Sequence, residues 1–371
     1  MIPLGASVVW LDTNHGRGTP DDMAIECINF ASLLLVSSLA LVDAFSLPEA
    51  ASSFSSLLAS SLNNAIPNTL LIRKDGGSGG CPAIWTSISS DLTSSFLGSD
   101  GQCTDLARAA IRFAFHDAGP YSSKTVFYAP AAGGADGSLL LNSDEINRPE
   151  NGGLADYRTW LMGKYTQYNQ KAKVGAADLI QFAGSHAVIT CPGGPKIKTV
   201  VGRTDTSTIA PDGFLPAGFG PNSSHDILFQ LFADKGFSAR DLAALIGAHS
   251  TSKAFTQQAN GIPAGGQQDS TPGKWDIDYY AQVNSPPTGT YRFQSDINLS
   301  QANTTVGKQF QGFVGNQGKW TSSFADAMFR LSVLGIPSSS QSGFVDCTNA
   351  LPRGTSSKRD IRAAPINDRA R

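Results

Sequence analysis

Arg112 and His116 stand four residues apart in the stretch AIRFAFHDAG (residues 110–119), among Ala110, Ile111, Phe113, Ala114 and Phe115. Residues at that spacing share one face of a helix, so a guanidinium and an imidazole emerge side by side from an apolar segment. Burying such groups is costly unless they are paired. A second histidine, His249, closes the stripe Leu242, Leu245, Ile246, His249 at spacing i, i+3, i+4, i+7. Taken alone, a histidine there reads as a core imidazole satisfied by a carbonyl. The chain has only five histidines, and two inward-facing ones on separate helices imply a pocket between those helices. A flat cofactor with an axial metal position would use both.

An acidic loop follows each histidine. After His116 come Asp117 and GGADGS, which offers the Asp136 and Ser138 side chains and the Gly134 carbonyl. After His249 come Ser250 and DSTPGKWD, which offers Asp269, Thr271 and Asp276. Hard oxygen ligands at alternate positions suit calcium. Either loop alone also reads as an ordinary Asx-rich turn; the parallel arrangement favours calcium.

Helices must position these groups. Trp85, Ile88, Leu92 and Phe96 have helical spacing, with Trp85 expected in the core. Further helices are expected over Thr104–Ala118, Gly175–Cys191, Trp320–Gly335 (Trp320 also core) and the segment FSARDLAALIGAHS (237–250), where Ser238 and Asp241 form a capping box. Long Gly-, Pro-, Asn- and Asp-rich loops join them, and alternating strand patterns are scarce. With 41% hydrophobic and 16% charged residues, the chain can bury a substantial core. A net charge of -2 leaves no basic footprint for nucleic acid.

The N-terminus divides into an upstream extension (1–22), a signal peptide (23–44) with an apolar stretch Phe30–Val42, and a Ser/Gly-rich segment (45–80). The apolar stretch is short of the ~20 residues of a membrane span, so no membrane association is expected after cleavage. Of the five cysteines, Cys27 leaves with the signal. Cys81, Cys103, Cys191 and Cys347 remain, an even number suited to disulfides in an oxidising compartment. Sequons at Asn222, Asn298 and Asn303 agree with secretion. The tail 348–371 is polar and basic, either disordered or a cover over one face.

The motifs RFAFHDA, GGADGS, GAADLIQFAGSHAVITCPGG, VGRTD with PDGFLP, LIGAHS, DSTPGKWD, FQSD and FVGNQ occur in one order between Cys81 and Pro337. In this the chain resembles the secreted fungal class II haem peroxidases of the plant-type superfamily. The resemblance implies a mainly α, two-lobed fold over 81–347, with one non-covalent haem b between a distal and a proximal lobe. It implies Arg112 and His116 as the distal pair, Asn151 orienting His116 with Glu145 as its companion, His249 as iron ligand and Asp296 as acceptor of its N–H. Two calcium ions are implied, one at Asp117, Gly134, Asp136 and Ser138, the other at Ser250, Asp269, Thr271, Lys274 (carbonyl) and Asp276. Disulfides Cys103–Cys191 and Cys81–Cys347 are implied too.

The activity implied is reduction of hydrogen peroxide through a ferryl haem, with one-electron oxidation of small phenolic or aromatic donors by a secreted monomer. His116 would act as general base and then acid, and Arg112 would stabilise charge on the departing oxygen. The positions for a manganese site correspond to Asp105, Ala109 and Phe255, one acid where the family uses three. The position of the exposed ligninolytic tryptophan is Ala244, which leaves Trp160, beside Tyr157, as the candidate surface radical site. Gln268 stands where an aromatic usually packs beside the proximal imidazole. The rival readings are a secreted haem binder with little turnover and a calcium-stabilised interaction protein. A hydrolase is disfavoured because no Gly-x-Ser-x-Gly elbow occurs.

Overall fold

The computed structural model describes residues 80–124 and 133–354, all within the unit 74–371. The expected extension, signal peptide and nearly all of the Ser/Gly-rich segment lie outside the described residues, as does the tail from 355. Twelve α-helices occur among the described residues: α1 Ile84–Phe96, α2 Asp105–Ala118, α3 Ser138–Leu141, α4 Ala155–Asn169, α5 Ala176–Thr190, α6 His225–Ala233, α7 Ala239–Leu245, α8 Asp278–Asn284, α9 Gln294–Leu299, α10 Thr305–Gln311, α11 Gln317–Ser332 and α12 Ser338–Gln341. Four two-residue strands form two antiparallel pairs. β1 (Val200–Val201) meets β4 (Val345–Asp346), and β2 (Lys253–Ala254) meets β3 (Gly266–Gln267). None of the helices described is long and apolar enough to cross a membrane.

The fold is therefore mainly α, and its helices gather into two groups. The first packs α1, α3 and α5 against α2; the second packs α10 and α11 against α7, and α11 also touches α2. Every residue of α5 is buried, as its near-continuous apolar run requires, and several of its polar groups find partners, though Gln181 Oε1 has none. Asp178 pairs with Arg203 at 2.8 Å, Gln181 Nε2 donates to the Ala114 carbonyl at 3.0 Å, and His186 Nε2 meets the Ser89 carbonyl at 2.9 Å. At Gly184, a Cβ would lie 2.5 Å from Ala114 Cβ, so glycine permits the close approach of α5 to α2.

Thr104 caps α2, its Oγ1 accepting from Ala107 N–H at 3.3 Å. The Ser238–Asp241 capping box of α7 forms as expected. The expected single helix through His249 does not: α7 ends at Leu245 and the chain tightens into a 3-10 turn over Ile246–Thr251. Tertiary contacts accompany the change: Tyr280 Oη donates to the Ala243 carbonyl at 2.8 Å and Trp320 Nε1 to the Ala244 carbonyl at 3.0 Å, both packed over Gly247, where a Cβ would collide with them. The turn moves His249 off the buried stripe.

Trp320 stacks on Trp275, centroids 5.2 Å apart, within a buried cluster that includes Tyr280, Phe310, Phe313 and Phe324. Trp85 is likewise buried in the core. Both disulfides form, Cys81–Cys347 and Cys103–Cys191, with Cα–Cα separations of 4.9 and 4.7 Å. Beyond Cys347, a 3-10 turn over Thr348–Ala350 and buried Leu351 lie against the body, so as far as residue 354 the tail is a cover.

Candidate active site

On α2, His116 is buried, and Arg112 keeps part of its surface open to solvent while its guanidinium is crowded by protein. His116 Nδ1 lies 2.8 Å from Asn151 Oδ1, and Asn151 Nδ2 donates to a carbonyl oxygen at 2.8 Å. That carbonyl belongs to Glu145, so Glu145 supports Asn151 through its backbone rather than its side chain. The amide can only accept from Nδ1–H, which leaves Nε2 with the lone pair. Arg112 Nε donates to that lone pair at 3.2 Å, while its Nη1 and Nη2 donate to the Gly152 and Glu150 carbonyls at 2.7 and 2.8 Å. Burial, and then the Arg112 charge, lowers the His116 pKa to about 3. Protein crowds the Arg112 guanidinium too, lowering it to about 10, so it stays cationic.

On the turn after α7, His249 Nδ1 lies 2.9 Å from Asp296 Oδ1. The His249 side chain keeps 29% of its surface accessible, whereas Asp296 has none. Tyr279 and Phe293 set their rings edge-on to the imidazole, with centroids 5.9 and 5.6 Å away. Both imidazoles thus present Nε2, one steadied by a neutral amide and the other by a carboxylate. Sequence reasoning marked Gln268 but missed Tyr279. Gln268 Nε2 donates to Asp296 Oδ2 at 2.7 Å and Tyr279 Oη donates to Asp296 Oδ1 at 3.0 Å. Only the tyrosine's place in an apolar helical pattern was legible, and that reads as core.

The two acidic loops close into compact clusters. Asp117 accepts from the Gly137 and Leu139 N–H groups, Asp136 Oδ1 from Ser138 N–H, and the Gly134 carbonyl from Asp136 N–H. Thr271 Oγ1 donates to Asp269 Oδ1 at 2.7 Å and lies 2.8 Å from Asp276 Oδ2. Ser250 Oγ donates to the Lys274 carbonyl and accepts from Asp276 N–H. Buried oxygens lack partners in both: Ser138 Oγ and Glu145 Oε1 in the first, Asp269 Oδ2 in the second. Burial and neighbouring carboxylates raise Asp117, and burial foremost raises Asp136 and Asp269, each to about 6. Orphaned oxygens beside destabilised carboxylates are what a hard cation would relieve. Among the described residues no three Asp, Glu, His or Cys side chains converge as a metal site. Each ion would therefore rely on two carboxylates with hydroxyl and carbonyl oxygens.

The other candidate positions separate. Asp105 is exposed and faces Arg108 at 2.9 Å and Lys253 at 3.6 Å, two cations where a manganese site needs anions. Ala244 is buried. Trp160 is half-buried, 5.5 Å from Tyr157, with Lys164 Nζ 5.7 Å from its ring centroid; that charge opposes a cation radical on the indole. Asn222 and Asn303 are exposed, whereas Asn298 lies in α9 with its Nδ2 donating to the Ser223 carbonyl at 2.8 Å.

A mainly helical body that carries an Arg–His pair on α2 and an Asp-supported histidine after α7 has the groups expected of one class, the haem-dependent oxidoreductases of peroxidase type. The peroxidase family model matches residues 93–314, and the chain belongs to that family. It is 31% identical to manganese peroxidase 3 of Phlebia radiata over 70% of this chain and 74% of that protein. It is 28% identical to a peroxidase of Arthromyces ramosus, over 78% and 83%. It is 29% identical to a versatile peroxidase of Pleurotus eryngii, over 73% and 75%. Membership makes the protein an enzyme that uses hydrogen peroxide to oxidise aromatic donors, with haem and calcium as its cofactors.

Proposed function

We propose that the protein is a secreted, monomeric generic peroxidase, oxidising small phenols with one haem b and two calcium ions, and that the residues above carry the roles their contacts suggest. The carrying observation is the contrast between the two histidines. His249, whose Nδ1–H goes to the Asp296 carboxylate, would ligate the haem iron through Nε2. His116, whose Nδ1–H goes to the neutral amide of Asn151, is the proton carrier. An anionic partner makes an electron-rich ligand; a neutral one leaves a base free to take a proton and give it back. When bound, haem supplies the iron at which the peroxide O–O bond is cleaved.

The chain's own groups handle the protons and charge. Hydrogen peroxide displaces Arg112 Nε from His116 Nε2, which takes a proton from one peroxide oxygen and returns it to the other as water leaves. The Arg112 guanidinium, held by the Glu150 and Gly152 carbonyls, offers fixed positive charge to the departing oxygen. Each turnover converts one hydrogen peroxide to two waters, taking one electron and one proton from each of two donors. The cations around Asp105 and the buried Ala244 speak for phenols rather than manganese or bulky lignin units. Two disulfides and the extracellular character of this family support secretion. Scattered exposure of large apolar side chains, Ile209, Ile227, Phe255 and Val314 among the described residues, supports a monomer.

The test is an absorption spectrum of the purified haem-loaded protein before and after one equivalent of hydrogen peroxide. Fast bleaching of the Soret band, restored by guaiacol, is the expected result. A Soret band indifferent to peroxide would make the protein a haem binder with a misplaced distal pair.

A further inference from the structure

We infer that Gln268 and Tyr279 are positioning residues that limit the electron richness of His249 by drawing charge from Asp296; the inference rests on His249 being the axial ligand. Asp296 has no exposed surface, and four donors share its two oxygens. Oδ1 takes His249 Nδ1–H at 2.9 Å and Tyr279 Oη–H at 3.0 Å. Oδ2 takes Gln268 Nε2–H at 2.7 Å and the Phe293 backbone N–H at 2.9 Å. The Phe293 bond belongs to the first turn of α9, where Asp296 reaches back to the helix start, and it forms whatever side chain stands at 293. Gln268 and Tyr279 are separate choices, made on the β3 side and on α8.

The orientation of the Gln268 amide follows from its neighbours. Its Oε1 meets Ser252 Oγ, which can donate, and its Nε2 meets the carboxylate, which can only accept. Reversed, the amide would press an oxygen against an anion. Gln268 Nε2 also lies 3.2 Å from His249 Nδ1. That nitrogen already donates its hydrogen to Asp296, so the contact adds no bond.

Donors that share one carboxylate compete for its charge. A carboxylate with one partner pulls strongly on that proton; with four partners, each bond weakens. In this buried setting no water levels the difference. His249 therefore keeps its Nδ1 proton more fully and has less imidazolate character than Asp296 alone would give it. An axial ligand of lower basicity stabilises ferric iron less against ferrous iron, which raises the reduction potential.

The test uses the haem-loaded protein and the variants Gln268→Met, which keeps length without a donor, and Tyr279→Phe. Two readouts are taken: the ferric–ferrous midpoint by spectroelectrochemical titration, and the iron–histidine stretching band of the ferrous protein by resonance Raman. The expected result is a several-fold rise in the ferric-to-ferrous ratio at a fixed potential in each variant, larger when the two are combined. The Raman band moves to higher frequency in parallel. Ser252→Ala, which leaves the Gln268 donor in place, is expected to move neither, and an equal shift there would overturn the inference. Unmoved potential and band in both donor variants, with the iron–histidine band intact, overturns the inference and leaves His249 as the ligand. No iron–histidine band in the parent protein, or one that survives His249→Ala, overturns the ligand assignment and the inference with it. If one donor variant fails to fold, the other decides.

Discussion

The 2.8 Å contact between His116 Nδ1 and Asn151 Oδ1 determines which nitrogen of the distal imidazole is free to take a proton. Asn151 is itself fixed by the Glu145 carbonyl. In Asn151→Leu the tautomer is no longer selected, the buried His116 Nδ1–H loses its acceptor, and the Glu145 carbonyl is left with the Arg148 N–H alone. Bleaching of the Soret band by peroxide, followed by stopped flow, is expected to slow ~10- to 100-fold. Folding stability is expected to fall by about 1–3 kcal/mol. An unchanged bleaching rate would remove Asn151 from the reaction.

The His116 pKa gives the next expectation. Burial lowers it from 6.5 to about 3. A neutral imidazole is the active base, so the rate of peroxide reaction should hold steady from pH 7 down toward 4 and fall with a midpoint near 3. The stability sign follows from proton counts. Between pH 3 and 6.5 the unfolded chain binds the proton and the folded one does not, so His116 contributes stability above pH 6.5 that is lost as pH falls toward 3. Stopped-flow rates across pH 3–8 check the first statement; an acid limb centred at 6.5 would mean that His116 is solvated or is not the base.

Calcium removal should be felt most near neutral pH. Without an ion, Asp136 and Asp269 titrate at about 6 against an ordinary 3.8. Their raised values mean that the folded chain holds more protons than the unfolded one between those limits, so this part of the stability is present below pH 3.8 and lost as pH rises through 6. Chelated protein is therefore expected to lose more melting temperature at pH 7 than at pH 5, relative to calcium-loaded protein. Equal losses at both pH values would count against these carboxylates as the ligands.

How far the sequence spoke depends on how local each feature is. Arg112 and His116 are one helical turn apart, and Ser238 and Asp241 lie within one capping box, so spacing alone exposed them. The partnership of His249 with Asp296 spans 47 residues and came from family resemblance, not from pattern. The 3-10 turn that carries His249 coincides with Tyr280 and Trp320 bonding carbonyls at the end of α7. Locally only Gly247, a poor helix former, hints at the break. The ring of donors around Asp296 draws on positions 249, 268, 279 and 293, which only tertiary packing brings together.

Two glycines test how tightly the distal helix is held, because the same substitution should act with opposite sign. Gly163 lies inside α4 with nothing within 4 Å of where a Cβ would be. Gly163→Ala removes backbone freedom from the unfolded chain at no steric cost and is expected to stabilise by roughly 0.5–1 kcal/mol. Gly184 lies inside α5, where a Cβ would stand 2.5 Å from Ala114 Cβ and 3.5 Å from the Ala110 carbonyl oxygen. There the same propensity gain meets an overpacking cost of about 1–3 kcal/mol, and the clash wins. The displaced neighbour is α2, two residues before His116, so Gly184→Ala should lower the melting temperature and also slow Soret bleaching by peroxide. A destabilised Gly184→Ala protein with an unchanged bleaching rate would show that α2 can yield at Ala114 without moving His116.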